Sequence, residues 1–227
     1  MRRSKRYQKA SGLVDREKLY EQNEAINLLK EIPGANFDES LEVVVRLGID
    51  PRKTDQLVRG ACSLPNGLGK SVKVIVFAEG DKADAAKEAG ADEVGSADLA
   101  DKIAGGWMDF DIVITSPDMM KHVGKLGKVL GPQGKMPSPK SGTVTPDVAT
   151  AVKEFKAGKV EFRTDAGGNV HAAVGKRSFS TDALSENLTT FLNHLTGLRP
   201  AAVKGNFFTK ISLSTTMGPG VFINPGA

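Results

Sequence analysis

Cysteine is almost missing from this chain of 227 residues. The lone Cys62 excludes an internal disulfide and any cysteine-cluster metal site. It is expected as a small core residue, in keeping with a reduced cytoplasm. Aromatic residues make up 6%, too few for the clustered stacking platforms of many RNA-binding modules. The three histidines, His122, His171 and His194, have no metal-ligand spacing, so neither metal nor cofactor is expected. No run of 18 apolar residues exists, so no membrane span is expected. The opening MRRSKRYQKASG is basic with no apolar segment behind it, which is not the pattern of a secretory signal; it reads as a flexible arm that orders on an anionic partner.

Catalytic patterns are equally scarce. No G-x-G-x-x-G follows a candidate strand, and no Ser/His/Asp order or nucleophile elbow occurs. LPNGLGKS ends like a phosphate-binding loop at Gly69, Lys70 and Ser71, but Leu64 stands where the first glycine belongs and a strand follows instead of a helix. It reads better as a linker. The acids between Glu79 and Asp118 read as a solvated rim. An enzyme is therefore not expected; the competing readings are a nucleotide-dependent enzyme built on the middle of the chain and a protein-interaction module.

What is present is a mild basic excess, a formal net charge of +4, unevenly spread. Residues 68–159 hold 13 Lys and Arg against 13 Asp and Glu, whereas residues 1–67 hold 12 against 10 and residues 160–227 hold 6 against 4. The excess thus belongs to the two ends. Within the middle, Lys121, Lys125, Lys128, Lys135 and Lys140 lie in a glycine- and proline-rich stretch with no acid, KHVGKLGKVLGPQGKMPSPKSG. Cationic, glycine-rich backbone suits phosphate.

Periodicity divides the chain in the same way. Asn23–Ile32 reads as a helix capped by Asn23, and Leu41, Val43, Val45, Leu47 and Ile49 alternate as a half-buried strand. Residues 52–67 read as a polar, hairpin-like segment. The middle reads strand (Val72–Phe77), helix (Asp81–Ala89), helix (Leu99–Ala104), strand (Asp111–Thr115), a helix weakened by Gly124 and Gly127 (Met119–Leu130), then a helix from Thr145-Pro146-Asp147 to Gly158. That is a doubly wound α/β pattern. Then Lys159–Thr164 and Asn169–Val174 flank Asp165-Ala166-Gly167-Gly168 as a hairpin. Asp182–Leu195, with Thr181 as cap, is an amphipathic helix. Gly205–Thr215 is a long strand and Val221–Ile223 a short one. The expected fold is α/β in two domains: a discontinuous α+β domain from both chain ends (1–67 plus 160–227) and an inserted, Rossmann-like parallel-sheet domain (68–159).

Three stretches carry a resemblance. LGIDPRKTDQLVRG (Leu47–Gly60), LGKVLGPQGKMPSPK within Lys121–Lys140, and STTMGPG (Ser214–Gly220) are together similar to the bacterial family of the first-numbered protein of the large ribosomal subunit, the mobile-stalk protein beside the tRNA exit site. The likeness runs over essentially the whole chain. It implies a non-enzymatic protein of the cytoplasmic ribosome that binds large-subunit rRNA, represses translation through its own operon mRNA, and moves with the exit-site tRNA. The RNA-binding positions it implies are Phe37, Glu39, Ser40, His171, Lys210, Thr216, Met217 and Gly218. The five lysines from Lys121 to Lys140 become a secondary RNA or tRNA surface. The family usually has lysine at position 36; Asn36 removes one phosphate contact here.

Overall fold

The computed structural model describes residues 3–225. The chain divides into two compact units, one made of residues up to Gly69 together with those from Val160 onward, the other of Lys70–Lys159.

The first unit holds helices α1 (Lys5–Gly12) and α2 (Gln22–Glu31), then strands β1 (Ser40–Leu47) and β2 (Arg59–Ser63). The second unit runs β3 (Val74–Phe77), α3 (Asp81–Glu88), β4 (Glu93–Gly95), α4 (Ala97–Ala104), β5 (Ile112–Thr115), α5 (Met120–Lys125), α6 (Gly127–Leu130) and α7 (Val148–Ala157). The chain then returns through β6 (Lys159–Arg163), β7 (Asn169–Lys176), α8 (Thr181–Gly197), β8 (Phe208–Thr215) and β9 (Val221–Ile223) to complete the first unit.

In the first unit β7, β1, β8 and β9 form an antiparallel sheet in that order. Alternation decides its two faces, because successive side chains of a strand point opposite ways. Leu41, Val43, Val45 and Leu47 of β1, with Val170, Val174, Ile211 and Leu213 on its neighbours, are buried. They pack against Ala25, Ile26 and Leu29 of α2 and Leu184, Leu188, Phe191 and Leu195 of α8. Asn187 is the buried polar residue of α8; its amide donates to the carbonyls of Val174 (2.8 Å) and Gly67 (3.1 Å) and its oxygen accepts from Asn66 N–H (3.0 Å). The chain is thereby held just before it leaves the unit. Cys62 lies in this core, and burial pushes its thiol pKa up, as expected of a packing residue.

The second unit has a parallel sheet, β4-β3-β5. Every residue of β3 is buried. Ile75 and Phe77 pack with Leu99, Ile103 and Val123 on one side, and Val74 and Val76 with Ala86, Val152 and Phe155 on the other. Both faces are covered, as βαβ connections require.

The mixed α/β class is as expected from the pattern, but several elements differ. The basic arm contains a helix, α1. Ser4 caps it at Tyr7 N–H, and its short buried face is Ala10. Such a small apolar face gives almost no periodic signal. α2 starts at Gln22 with Glu21 at the cap, where Asn23 was expected; Gln22 is drawn to the Ser185 carbonyl of α8 (2.8 Å). α8 is capped by Ser180, which accepts from Ala183 N–H, rather than by Thr181. The expected hairpin across residues 159–174 is a turn between two sheets: β6 pairs with β2, and β7 with β1, leaving one bridge from Thr164 to Val170. The polar segment ahead of the linker contains β2, and the short β4 lies between α3 and α4. The Met119–Leu130 helix is broken into α5 and α6 at Leu126.

Candidate nucleic-acid interface

The four-stranded sheet keeps its second face uncovered by helices. Cross-strand partners lie on the same side of a sheet, so the register sorts this face into rows. One row is Asn169, Arg46 and Lys210. The next is His171, Val44, Ser212 and Phe222, and the third is Ala173, Glu42 and Ser214. Hydroxyls, two cations, an imidazole, one carboxylate and one ring therefore share one surface. Arg46 and Lys210 stand directly opposite each other, a like-charge pair that is unfavourable alone and suited to an anion.

His171 and Lys210 are on this face, and both are exposed. His171 Nε2 lies 3.3 Å from Asp165 Oδ2. Asp165 closes the β6–β7 turn by accepting from the N–H groups of Asn169 (2.7 Å) and Gly167 (2.8 Å). These bonds, those from Asn169 foremost, hold its carboxyl far below the usual range.

The remaining expected residues gather at the end of the sheet where β1 begins and β8 ends. Phe37, 55% exposed, and Met217, 49% exposed, are among the large apolar side chains left in solvent. Ser40 and Thr216 are tied by a two-way bond: Thr216 N–H donates to Ser40 O (3.1 Å), and Ser40 N–H to Thr216 Oγ1 (3.0 Å). Lys176 Nζ donates to Ser40 Oγ (3.0 Å), bringing a cation to this corner.

Glu39 is different: its side chain is completely buried. Its carboxylate accepts from Ala35 N–H (2.5 Å) and Met217 N–H (3.4 Å), and Arg6 lies 3.7 Å away. Burial pushes the carboxyl pKa up, but hydrogen bonds from Thr215, Ala35 and Met217, with the Arg6 charge, outweigh it and hold the group ionised below its ordinary range. Arg6 also donates to the carbonyls of Pro33 (3.1 Å) and Met217 (3.1 Å). Glu39 therefore sits beneath the surface, joining the loop before β1 to the turn after β8. It fixes the backbone at Ala35 and Met217 and presents no face of its own. Gly218 is needed here on packing grounds, since a Cβ at that position would overlap the Thr215 hydroxyl.

Arg46, Ser212, Ser214, Lys176 and Arg6 were not foreseen. The polar phase of β1 and β8 was a signal for the first three. Lys176 and Arg6 act through contacts with positions far away in sequence.

The lysine stretch of the second unit is divided. Lys121, Lys125, Lys128 and Lys140 are exposed. Lys135 is not one of them: its ammonium donates to the carbonyl of Phe110 and lies 4.7 Å from that residue's ring centre. The following loop is pinned by Thr143, whose hydroxyl accepts from Ser138 N–H (2.9 Å). At the carboxyl ends of β3 and β5, where open α/β sheets hold their ligands, Glu79, Asp81, Lys82, Ser116, Asp118 and Met119 line a crevice. Lys82 is already paired with Asp118 at 3.2 Å. A nucleotide phosphate would meet three carboxylates there. Among the described residues no group of three or more His, Cys, Asp or Glu is placed to hold a metal, and no helix is long and apolar enough to cross a membrane.

Comparison with known proteins gives the family. The sequence model of the ribosomal protein L1p/L10e family matches residues 28–219. The chain is 55% identical to the large ribosomal subunit protein uL1 of Kosmotoga olearia over 97% of its own length and 95% of that protein's. It is 53% identical to the uL1 of a Nocardioides species over 99% and 94%, and 54% identical to that of Bifidobacterium longum subsp. infantis over 99% and 98%. The chain belongs to the ribosomal protein L1p/L10e family.

Proposed function

We propose that the protein is a structural, non-enzymatic constituent of the large ribosomal subunit that binds large-subunit rRNA at the mobile stalk through the open face of its four-stranded sheet. One observation carries the reading. The uncovered face of β7-β1-β8-β9 presents Arg46, Lys210, His171 and serine hydroxyls, and at its end the buried Glu39 ties Ala35, in the loop that carries exposed Phe37, to exposed Met217 in the turn with Thr216 and Gly218. Folded RNA is recognised through phosphates, 2′-hydroxyls and unstacked bases. Cations supply the first contact, Ser40, Ser212 and Ser214 the second, Phe37 and Met217 the third. The names of the relatives, large-subunit ribosomal proteins, point the same way.

Repression of the protein's own operon follows from the same face if the mRNA offers a fold like the rRNA site. The two RNAs then compete for one protein. The exposed Lys121, Lys125, Lys128 and Lys140 are the surface offered to tRNA leaving the exit site.

The test is filter binding to an rRNA fragment carrying the stalk junction. Met217→Ala and Phe37→Ala should each weaken binding by about 1–3 kcal/mol, the scale of one base contact. Lys210→Ala should lower the slope of log affinity against log salt by about 0.7–0.9. Unchanged affinity in all three folded variants would remove the face from consideration.

A further inference from the structure

The edge of the open sheet has a hollow that shares only Lys210 with the contact residues proposed above. The segment ahead of α2 runs along β9: Tyr20 N–H donates to Phe222 O (2.9 Å), and Asn224 N–H to Tyr20 O (3.1 Å). This closes the strand edge and raises a wall. Between that wall and β8 lies a cavity of about 340 Å³, lined by Arg16, Glu17, Leu19, Thr209, Lys210 and Phe222 among others. Phe222 belongs to the row that contains Ser212, Val44 and His171, so the hollow continues the RNA-facing surface. Its ring is half-buried, with the Lys210 ammonium 5.8 Å from the ring centre. Leu19 is 58% exposed. Such an apolar side chain in water, beside a ring and two cations, is short of a partner.

The lining narrows the chemistry. A ring with a neighbouring aliphatic side chain accepts a flat apolar surface. Arg16 and Lys210 call for an anion attached to it. Base stacking on an aromatic ring with the backbone held by cations is how single-stranded nucleic acid is bound. We propose that this hollow takes one unstacked nucleotide of the RNA bound on the open face, its base against Phe222 and Leu19 and its phosphate between Arg16 and Lys210. Glu17 offers an acceptor to an exocyclic amine, which favours cytosine, adenine or guanine over uracil. The inference rests on the reading that the open face binds RNA.

The experiment uses the full chain and the stalk rRNA fragment. Ultraviolet crosslinking followed by peptide mass spectrometry should attach a nucleotide to the peptide containing Phe222. Phe222→Leu should weaken filter binding about tenfold, the range of one lost stack. Arg16→Gln and Leu19→Gln, both at exposed positions, should weaken it by a smaller factor, and they decide the matter if Phe222→Leu fails to fold. If Met217→Ala loses affinity while the Arg16 and Leu19 variants bind as the wild type and no crosslink forms at Phe222, the hollow is overturned and the open face stands. If the wild-type protein does not bind the fragment, the open face falls and the hollow with it.

Discussion

The two units use their sheets in opposite ways. The parallel sheet of the second unit is sandwiched, with β3 buried on both faces. The antiparallel sheet of the first unit has one packed face and one open face. Charges follow the same contrast. In the second unit Lys70, Lys73, Lys82, Lys87, Lys102, Lys156 and Lys159 are each paired with a carboxylate of the same unit. On the open face Arg46 and Lys210 meet each other across the strands. The matched part of the second unit has little use for an anionic partner, which leaves its exposed Lys121, Lys125, Lys128 and Lys140 to meet one. A surface whose cations are set together is completed by a polyanion. Net charge alone, +4 over the chain, conceals this difference.

The largest effect that would break the comparison is a destabilised second unit. Phe155→Ala removes a fully buried ring from between α7 and β3 and should cost that unit about 3–5 kcal/mol. Urea unfolding should show this loss while binding to the stalk fragment is unchanged. A parallel fall in affinity would mean that the sandwiched unit takes part in RNA binding. Next in size is Glu39→Ala. It leaves the N–H groups of Ala35 and Met217 without their acceptor and Arg6 without its counter-charge, and breaking such a buried pair costs about 3 kcal/mol or more. Here stability and RNA affinity should fall together, because the residue holds the turn proposed to contact RNA. Retained affinity would show that the turn keeps its shape without the carboxylate.

The smallest effect concerns Asp165. Its carboxyl pKa is depressed in the folded protein by the backbone N–H and side-chain amide of Asn169, then by Gly167 N–H and His171. A depressed carboxylate contributes stability above its unfolded pKa, about 3.9, and loses it as pH falls toward the folded value. Asp165→Asn should therefore melt below the wild type at neutral pH, and the gap should close on acidification below about pH 4. A gap that is constant with pH would assign the turn's stability to neutral hydrogen bonds.

Much of the fold was legible because it rests on periodicity. The alternation of β1, the apolar runs of β3 and β5, and α7 between Asp147 and the left-handed Gly158 (φ 113°) are local signals. α1 was illegible because its buried face is a single alanine. β2 and β4 are short, and pairing is not a local property: nothing in Lys159–Val174 shows that its two strands join different sheets. The site divides similarly. Phe37 and Met217 are exposed apolar residues, which a sequence can suggest. Glu39 as a buried hub is not suggested, because a carboxylate reads the same in water or beneath a loop. Its partners Ala35 and Met217 meet only in the folded chain.

The position of β1 in the sheet has a consequence for synthesis. The second unit is continuous in sequence and has all its strands soon after emerging. β1 is made early, yet its neighbours β7 and β8 come only after that whole unit. Chains emerge amino-terminus first, so the first unit must stand open while the second folds. The turn at Thr216–Gly218 follows β8 and so is made after both neighbours of β1. A nascent chain thus cannot form the proposed RNA-binding corner until β8 and the turn after it have emerged, and under that reading chains stalled within the second unit do not compete for the rRNA.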